Sequence, residues 1–387
     1  MERRRTEGCL LGRIAGAFYG FGAIPERLVK AVKDRQKVDA LIERPPSAPM
    51  KLTNGESDSS SSGSEAGADP NCGTDAIIGV IVGDIAGSRF ESRNHKSKVF
   101  NLMVSKSEAW GGAGKSSLKR RGGTVSPGES LADGGSPASS HSQVGLPFDR
   151  PCYFTDDTVM TLAVAQALSD WRKAGSGDCG ELSEFAIRAM QDFGRRYPTA
   201  GYGGSFARWL EAEQPRPYNS WGNGAAMRVG ACGVAARTLD EVKALSRAVT
   251  EVTHDHPEGI KGAEATAVSV FLAREGWSKD NIKTYVSEHY YPMDFTLDEI
   301  RPSYDFDVSC QGSVPPALEA FFESASYEDA IRNAISIGGD SDTLAAICGA
   351  VAGAYYGVPR EIRNKGMTFL PEHLLEVLYE VETGIGN

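Results

Sequence analysis

The chain has 387 residues, 41% of them hydrophobic and 9% aromatic, and a formal charge of -10. That length holds one large domain or two ordinary ones, with enough apolar side chain for a sizeable core. The acidic balance argues against a general nucleic-acid binder, which needs a basic face to neutralise phosphates, and no apolar run reaches the length of a membrane span. Seven cysteines, at 9, 72, 152, 179, 232, 310 and 348, form no C-x-x-C pair and no metal-spaced cluster, so they read as reduced thiols of a cytoplasmic protein.

In chain order, residues 1–45 read as a helical segment. Its start, Met1-Glu2-Arg3-Arg4-Arg5 with an apolar stretch to Ile24, has the outline of an organelle-targeting sequence. Arg13 interrupts the apolar part, however, and no small-residue cleavage site is evident. Ile14-Ala15-Gly16-Ala17-Phe18-Tyr19-Gly20 echoes Val351-Ala352-Gly353-Ala354-Tyr355-Tyr356-Gly357, which raises the alternative of a remnant second copy of the C-terminal helices. Residues 46–73, rich in Pro, Ser and Gly, read as a disordered linker. A domain is expected over 74–387.

That domain opens on Ala76 to Gly87, an apolar helix with Gly79, Gly83 and Gly87 four residues apart on one face, which permits close contact with another helix. Asp84 and Glu91 fall at or beyond its C-terminal end, where the dipole disfavours acids and another role is invited. Residues 104–147 are of low complexity and read as a disordered insertion. Within it, Trp110-Gly111-Gly112-Ala113-Gly114-Lys115-Ser116 has only a superficial likeness to a phosphate loop, because Ala109 stands where that motif needs Gly and no strand precedes it. From Phe148 onward the period is helical. Leu182, Phe185, Ala186, Met190 and Phe193 share one face, Thr238 and Thr296 each start a capping-box pattern, and Pro371 suits the start of a last helix. No stretch alternates with period two, so the domain is expected to be all-α.

Two stretches carry surplus acid. Phe154-Thr155-Asp156-Asp157-Thr158 and Gly338-Gly339-Asp340-Ser341-Asp342-Thr343 each place two carboxylates and hydroxyls directly before an apolar helix. A helix start uses one such group as a cap, and the remaining acids, crowded at the mouth of an apolar core, need protonation or a cation. Oxygen donors without Cys or His suit a hard ion such as Mg²⁺ or Mn²⁺. We read the two starts as halves of one cation site. Gly201-Tyr202-Gly203-Gly204-Ser205 and Ser220-Trp221-Gly222-Asn223-Gly224 are Gly-rich loops with an aromatic, which suit a phosphate and a base but equally suit plain helix connections. In Thr253-His254-Asp255-His256 the paired imidazoles read as polar ligand contacts rather than a metal site.

Taken in order, Gly83 to Glu91, Phe154 to Thr158, Trp221 to Arg228, His254 to Gly262 and Gly338 to Thr343 resemble the ADP-ribosylglycohydrolase family over roughly residues 76–385. The resemblance implies a compact orthogonal bundle with a dinuclear Mg²⁺ (or Mn²⁺) centre. Thr155, Asp156, Asp157, Asp340, Asp342 and Thr343 match the ligand positions, Glu91 matches a family acid near the metals implicated in catalysis or in gating the site, and on chemical grounds Asp157 or Glu91 is the expected proton acceptor. Substrate contacts are expected at Asp84, Gly201, Tyr202, Trp221, Gly222, Asn223, Gly224 and His254. Tyr202, Trp221, Tyr304 and Phe306 remain alternatives for stacking on adenine. The implied activity is Mg²⁺-dependent release of ADP-ribose, by a monomer, from a modified protein or a small ADP-ribosyl conjugate. Cleavage at a ribose anomeric carbon needs oxocarbenium stabilisation and an activated water, chemistry that paired divalent ions supply. Two other readings compete. One is a silent ADP-ribose-binding or crystallin-like member of the same family, and the other a thiol enzyme using Cys310 with His254 or His256.

Overall fold

A computed structural model describes residues 74–91, 93–111, 150–175 and 177–384. The expected N-terminal helix, its echo of the C-terminal helices and the expected linker all lie outside the described residues, as do residues 112–147 of the expected insertion. The insertion's leading edge is ordered, against expectation. The carbonyl of Val104 accepts from the Cys152 amide at 2.8 Å, and Lys106–Gly111 forms a short helix. Val104 is buried, so this apolar residue pins the stretch despite its low-complexity composition.

The described residues form fifteen α-helices and no strand, confirming an all-α protein. Two helices make the centre, α1 (Asp75–Gly87) and α13 (Ser341–Tyr356). All of α1 is buried, as is α13 from Ser341 to Ala354, which is why neither shows an amphipathic pattern. They run antiparallel and touch backbone to backbone. A Cβ placed on Gly79 would lie 2.0 Å from the Gly349 carbonyl oxygen, and one on Gly83 2.1 Å from that of Ala345. The four-residue Gly spacing therefore does what its pattern implied, and its partners are the small residues of α13. This pairing brings the C-terminal end of α1 alongside the N-terminal end of α13.

Around this pair, α3 (Asp156–Lys173) packs on α4 (Cys179–Arg196) and on α15 (Glu372–Gly384), while α7 (Leu239–Thr250) packs on α8 (Pro257–Arg274). On the other side α11 (Cys310–Phe322) and α12 (Tyr327–Ile337) lie against α13. The one-sided apolar stripe of α4 buries Leu182, Ala186, Met190 and Phe193, with Phe185 half-buried at its border. The last helix begins at Glu372, directly after Pro371. Of the two expected capping boxes, Thr296 forms a complete one. At Thr238 only half forms, because the Glu241 carboxylate takes the Arg237 amide at 2.7 Å instead of its own cap residue.

Candidate functional site

Three helix ends converge at one end of the central pair. Asp84 sits in the last turn of α1 with 0% exposure, and its carboxylate accepts four hydrogen bonds from the start of α3. These come from the Thr155 amide (2.9 Å) and hydroxyl (2.7 Å), and from the amide (3.1 Å) and hydroxyl of Thr158. Asp84 thus docks α3 on α1. Expected among the substrate contacts, Asp84 is not on the lining of the open cleft, and its oxygens face the start of α3 and the neighbouring acids.

The start of α3 meets the start of α13 directly. Asp157 Oδ2 accepts from the Thr343 hydroxyl at 3.2 Å and lies 3.2 Å from the Thr155 hydroxyl oxygen, whose one proton goes to Asp84, whereas its Oδ1 is buried without a partner. Capping does not account for these acids. At α3 the cap is the Thr155 hydroxyl, which leaves Asp156 and Asp157 over. At α13 the cap position is Asp340, but its carboxylate bonds none of the helix amides and instead accepts from Asn223 Nδ2 at 2.7 Å. Asn223 is fixed in turn by Ser313, at 3.0 Å. Gly338 and Gly339, at φ of 83° and 66°, make the turn that aims Asp340 inward.

The carboxylates form two overlapping groups of three, each with ligand atoms within 4.8 Å of one another: Asp84, Asp157 and Asp342, and Glu91, Asp340 and Asp342. Burial, then mutual repulsion, raises the pKa of Asp156 to about 7 and pushes Asp157 and Asp342 well above the carboxylate range. Burial takes Asp84 to about 6 despite its four donors, and raises Glu91 with help from the charges of Asp340 and Asp84. Among the described residues no Lys, Arg or His forms an ion pair with any of these six acids, and every candidate donor is oxygen. An unpartnered buried oxygen in an uncompensated acid cluster fits a hard divalent cation.

This cluster floors a cleft of about 400 Å³, within the usual range of a small-ligand site. Glu91, Asp156, Asp157, Asp340, Asp342 and Thr343 line one end, and Gly201, Gly222, Asn223, Gly224 and His254 line the rest. Tyr202 and Trp221 are not on the lining: Tyr202 packs against Phe206, and Trp221 is 47% exposed outside it. Tyr304 likewise turns away, its hydroxyl donating to the Gly312 carbonyl. Of the four aromatic alternatives, Phe306 lines the cleft. Phe206 and Tyr218 line it too, and sequence reasoning passed over both. Phe206 looks like an ordinary apolar residue of the short helix α5 (Gly204–Glu211), and Tyr218 follows a Pro-Arg-Pro loop with no periodicity to mark it.

The thiol reading fails here. Cys310 is fully buried, donates to the Gly222 carbonyl at 3.1 Å, and burial pushes its pKa to about 12. His256 is spent capping α8. A larger hollow of about 700 Å³ lies elsewhere, between residues 100–109 and α14 (Arg360–Met367), but its Lys365 and Arg332 are paired with Glu108 and Glu328. The acid cluster lies at the smaller cleft.

Comparison with known proteins agrees with this geometry. An ADP-ribosylglycohydrolase family model matches residues 73–383. Mouse ADP-ribosylhydrolase ARH3 is 26% identical over 293 residues, covering 58% of this chain and 74% of its own. ADP-ribosylarginine hydrolase Tri1 of Pseudomonas putida (strain GB-1) is 26% identical over 231 residues, 53% of this chain and 59% of its own. A solved ADP-ribosylglycohydrolase-related protein complex shares the fold with a TM-score of 0.50 at 21% identity, over 81% of this chain and 95% of that one. The chain belongs to the ADP-ribosylglycohydrolase family and is a hydrolase of glycosyl bonds.

Proposed function

We propose that this protein releases ADP-ribose from ADP-ribosylated protein side chains or small ADP-ribosyl conjugates, using two Mg²⁺ ions, with Mn²⁺ as an alternative. The observation that carries the reading is the pair of carboxylate groups sharing Asp342 on the floor of a cleft walled by Gly-rich loops, aromatic rings and His254. Asp156, Asp157, Asp340 and Asp342 would hold the ions with the Thr155 and Thr343 hydroxyls, and Asp84 would fix the backbone behind them. When bound, such ions offset the substrate's negative charge, orient ribose hydroxyls and acidify water.

The chain's own groups supply the rest. Water adds to the ribose anomeric carbon as the bond to the leaving group breaks, and the water's proton needs an acceptor. Glu91 suits that task better than Asp157. It is half-buried on the cleft lining, where burial and the charges of Asp340 and Asp84 raise its affinity for a proton, whereas Asp157 already has one oxygen held by the Thr343 hydroxyl. Asn223 keeps Asp340 aimed at the floor, and the names of the relatives, one of them an arginine-linkage hydrolase, support an ADP-ribosyl substrate.

The test is a panel of conjugates linked through Arg, Ser, a base or a small alcohol, assayed with and without Mg²⁺, on wild type and Asp340→Ala/Asp342→Ala. Release from one linkage that needs both the metal and the two acids supports the reading. Full activity in the double variant, or binding of ADP-ribose with no turnover of any conjugate, would overturn it.

A further inference from the structure

A charged side chain is buried behind the cleft wall, where it contributes to the lining, without an ion-pair partner among the described residues. Arg228 is 1% exposed, forms no ion pair among the described residues, and its Nε has no hydrogen-bond partner. Burying a guanidinium this way is costly unless its remaining donors are used well. One is: Nη2 donates to the Thr253 hydroxyl oxygen at 2.6 Å, with a second, longer contact to the Val249 carbonyl at 3.4 Å.

The Thr253 hydroxyl has one proton to give and two neighbours that could take it, His254 Nδ1 at 2.7 Å and the Thr250 carbonyl at 3.3 Å. The carbonyl is already used, because it accepts the Thr253 amide at 3.1 Å and the His254 amide at 2.9 Å. Two bonds fill its two lone pairs. The shorter contact to Nδ1 therefore takes the hydroxyl proton, and donation from the guanidinium strengthens it by polarising the hydroxyl. With Nδ1 accepting, a neutral imidazole carries its own proton on Nε2. Among the described residues nothing hydrogen-bonds Nε2, which faces the backbone of Gly222 and Gly224 on the cleft wall. Burial and the neighbouring guanidinium lower the His254 pKa well below its usual value, so the ring stays neutral at working pH.

We infer that Arg228 and Thr253 are positioning residues that lock His254 as its Nε2-protonated tautomer, so that this wall of the cleft presents a hydrogen-bond donor and not a base. A donor there suits an acceptor oxygen of an anionic ligand; only that ligand's identity as an ADP-ribosyl group rests on the function proposed above. The arrangement also removes His254 from proton abstraction, since its one lone-pair nitrogen is turned into the protein.

Long-range ¹H–¹⁵N spectra of the full chain, with His254 assigned by its loss in His254→Gln, read the tautomer without reference to turnover. The expected wild-type state is Nε2–H with Nδ1 unprotonated. Thr253→Val, which keeps the shape and removes the hydroxyl, should change the tautomer and weaken ADP-ribose binding by about tenfold in calorimetry. Thr253→Ser should restore the tautomer. A wild-type ring protonated on Nδ1 overturns the inference whatever the variants do. So does a tautomer that switches in Thr253→Val with ADP-ribose affinity unchanged. If the tautomer behaves as stated but no conjugate is hydrolysed, the proposed activity falls and the relay stands.

Discussion

Thr343 donates its hydroxyl to Asp157 Oδ2 at 3.2 Å, closing a contact between helix starts 186 residues apart. The contact joins the first turn of α13 to the first turn of α3, and Asp84 of α1 completes the junction by holding Thr155 and Thr158. Three helices so joined leave their carboxylates nowhere to relax. Repulsion among them persists until protons or cations arrive.

Asp342 belongs to both carboxylate groups, Asp340 to one. Asp342→Asn should therefore lower Mg²⁺ affinity by two orders of magnitude or more, and Asp340→Asn by about tenfold less than that. Titration calorimetry with Mg²⁺ on both variants checks the order. Equal losses would show that Asp342 is not shared.

Protonation should compete with the cation. Asp84 and Asp156 have folded-state pKa values of about 6 and about 7 against 3.8 for the free side chain, so they bind protons more tightly when folded. Their contribution to metal-free stability is present below about pH 4 and is lost as pH rises through 6 to 7. His95, His254 and His373, whose pKa values burial lowers, push the other way as pH rises. The clean observable is thus a difference. The rise in melting temperature on adding Mg²⁺ should be near zero below about pH 5 and grow to several degrees by about pH 7.5. A gain independent of pH would mean that the acids do not bind the ion.

Gly83→Ala should be severe. The new methyl would lie 2.1 Å from a backbone oxygen that cannot rotate away, so the helices must part, at a cost of about 3 kcal/mol or more. Gly177→Ala, where a Cβ meets nothing within 4 Å, should stay within about 0.5 kcal/mol. Urea denaturation of the pair decides whether contact, and not the loss of glycine as such, is the cause.

Thiol reagents and chelators should separate cleanly. Cys310 is enclosed and held as a thiol, so N-ethylmaleimide should leave activity intact over the time of an assay, while EDTA abolishes it and added Mg²⁺ restores it. Rapid inactivation by the thiol reagent, prevented by ADP-ribose, would revive a nucleophilic cysteine.

The helical class was legible because the domain's outer helices are amphipathic and capped in the ordinary way, as Leu182 to Phe193 and the Thr296 box show. The close helix contact was legible in the Gly79-Gly83-Gly87 spacing, and the meeting of two acidic helix starts in acids that exceed what capping needs. What sequence could not give was direction. Asp84 and Tyr202 belong to motif stretches, yet one turns toward the start of α3 and off the cleft lining and the other into an aromatic pack, because a motif fixes neighbours along the chain and not which face a side chain takes. Val104 and Ala109 show the complementary case: two buried residues hold a stretch whose composition gives little sign of it. Phe206 and Tyr218 gave no warning, since an aromatic on a cleft wall has the same sequence signature as one in the core.

The seam between α1 and α13 sets more than stability. Where main chain rests on main chain, the gap between the two helices is fixed by atomic radii, with no rotamer to adjust it. The acids carried at their ends are therefore spaced as if by a rigid gauge. Changes that retune which conjugate is accepted have to come from the walls, at His254, Phe306 and the loops near Gly201 and Gly222, because the floor has no slack to give.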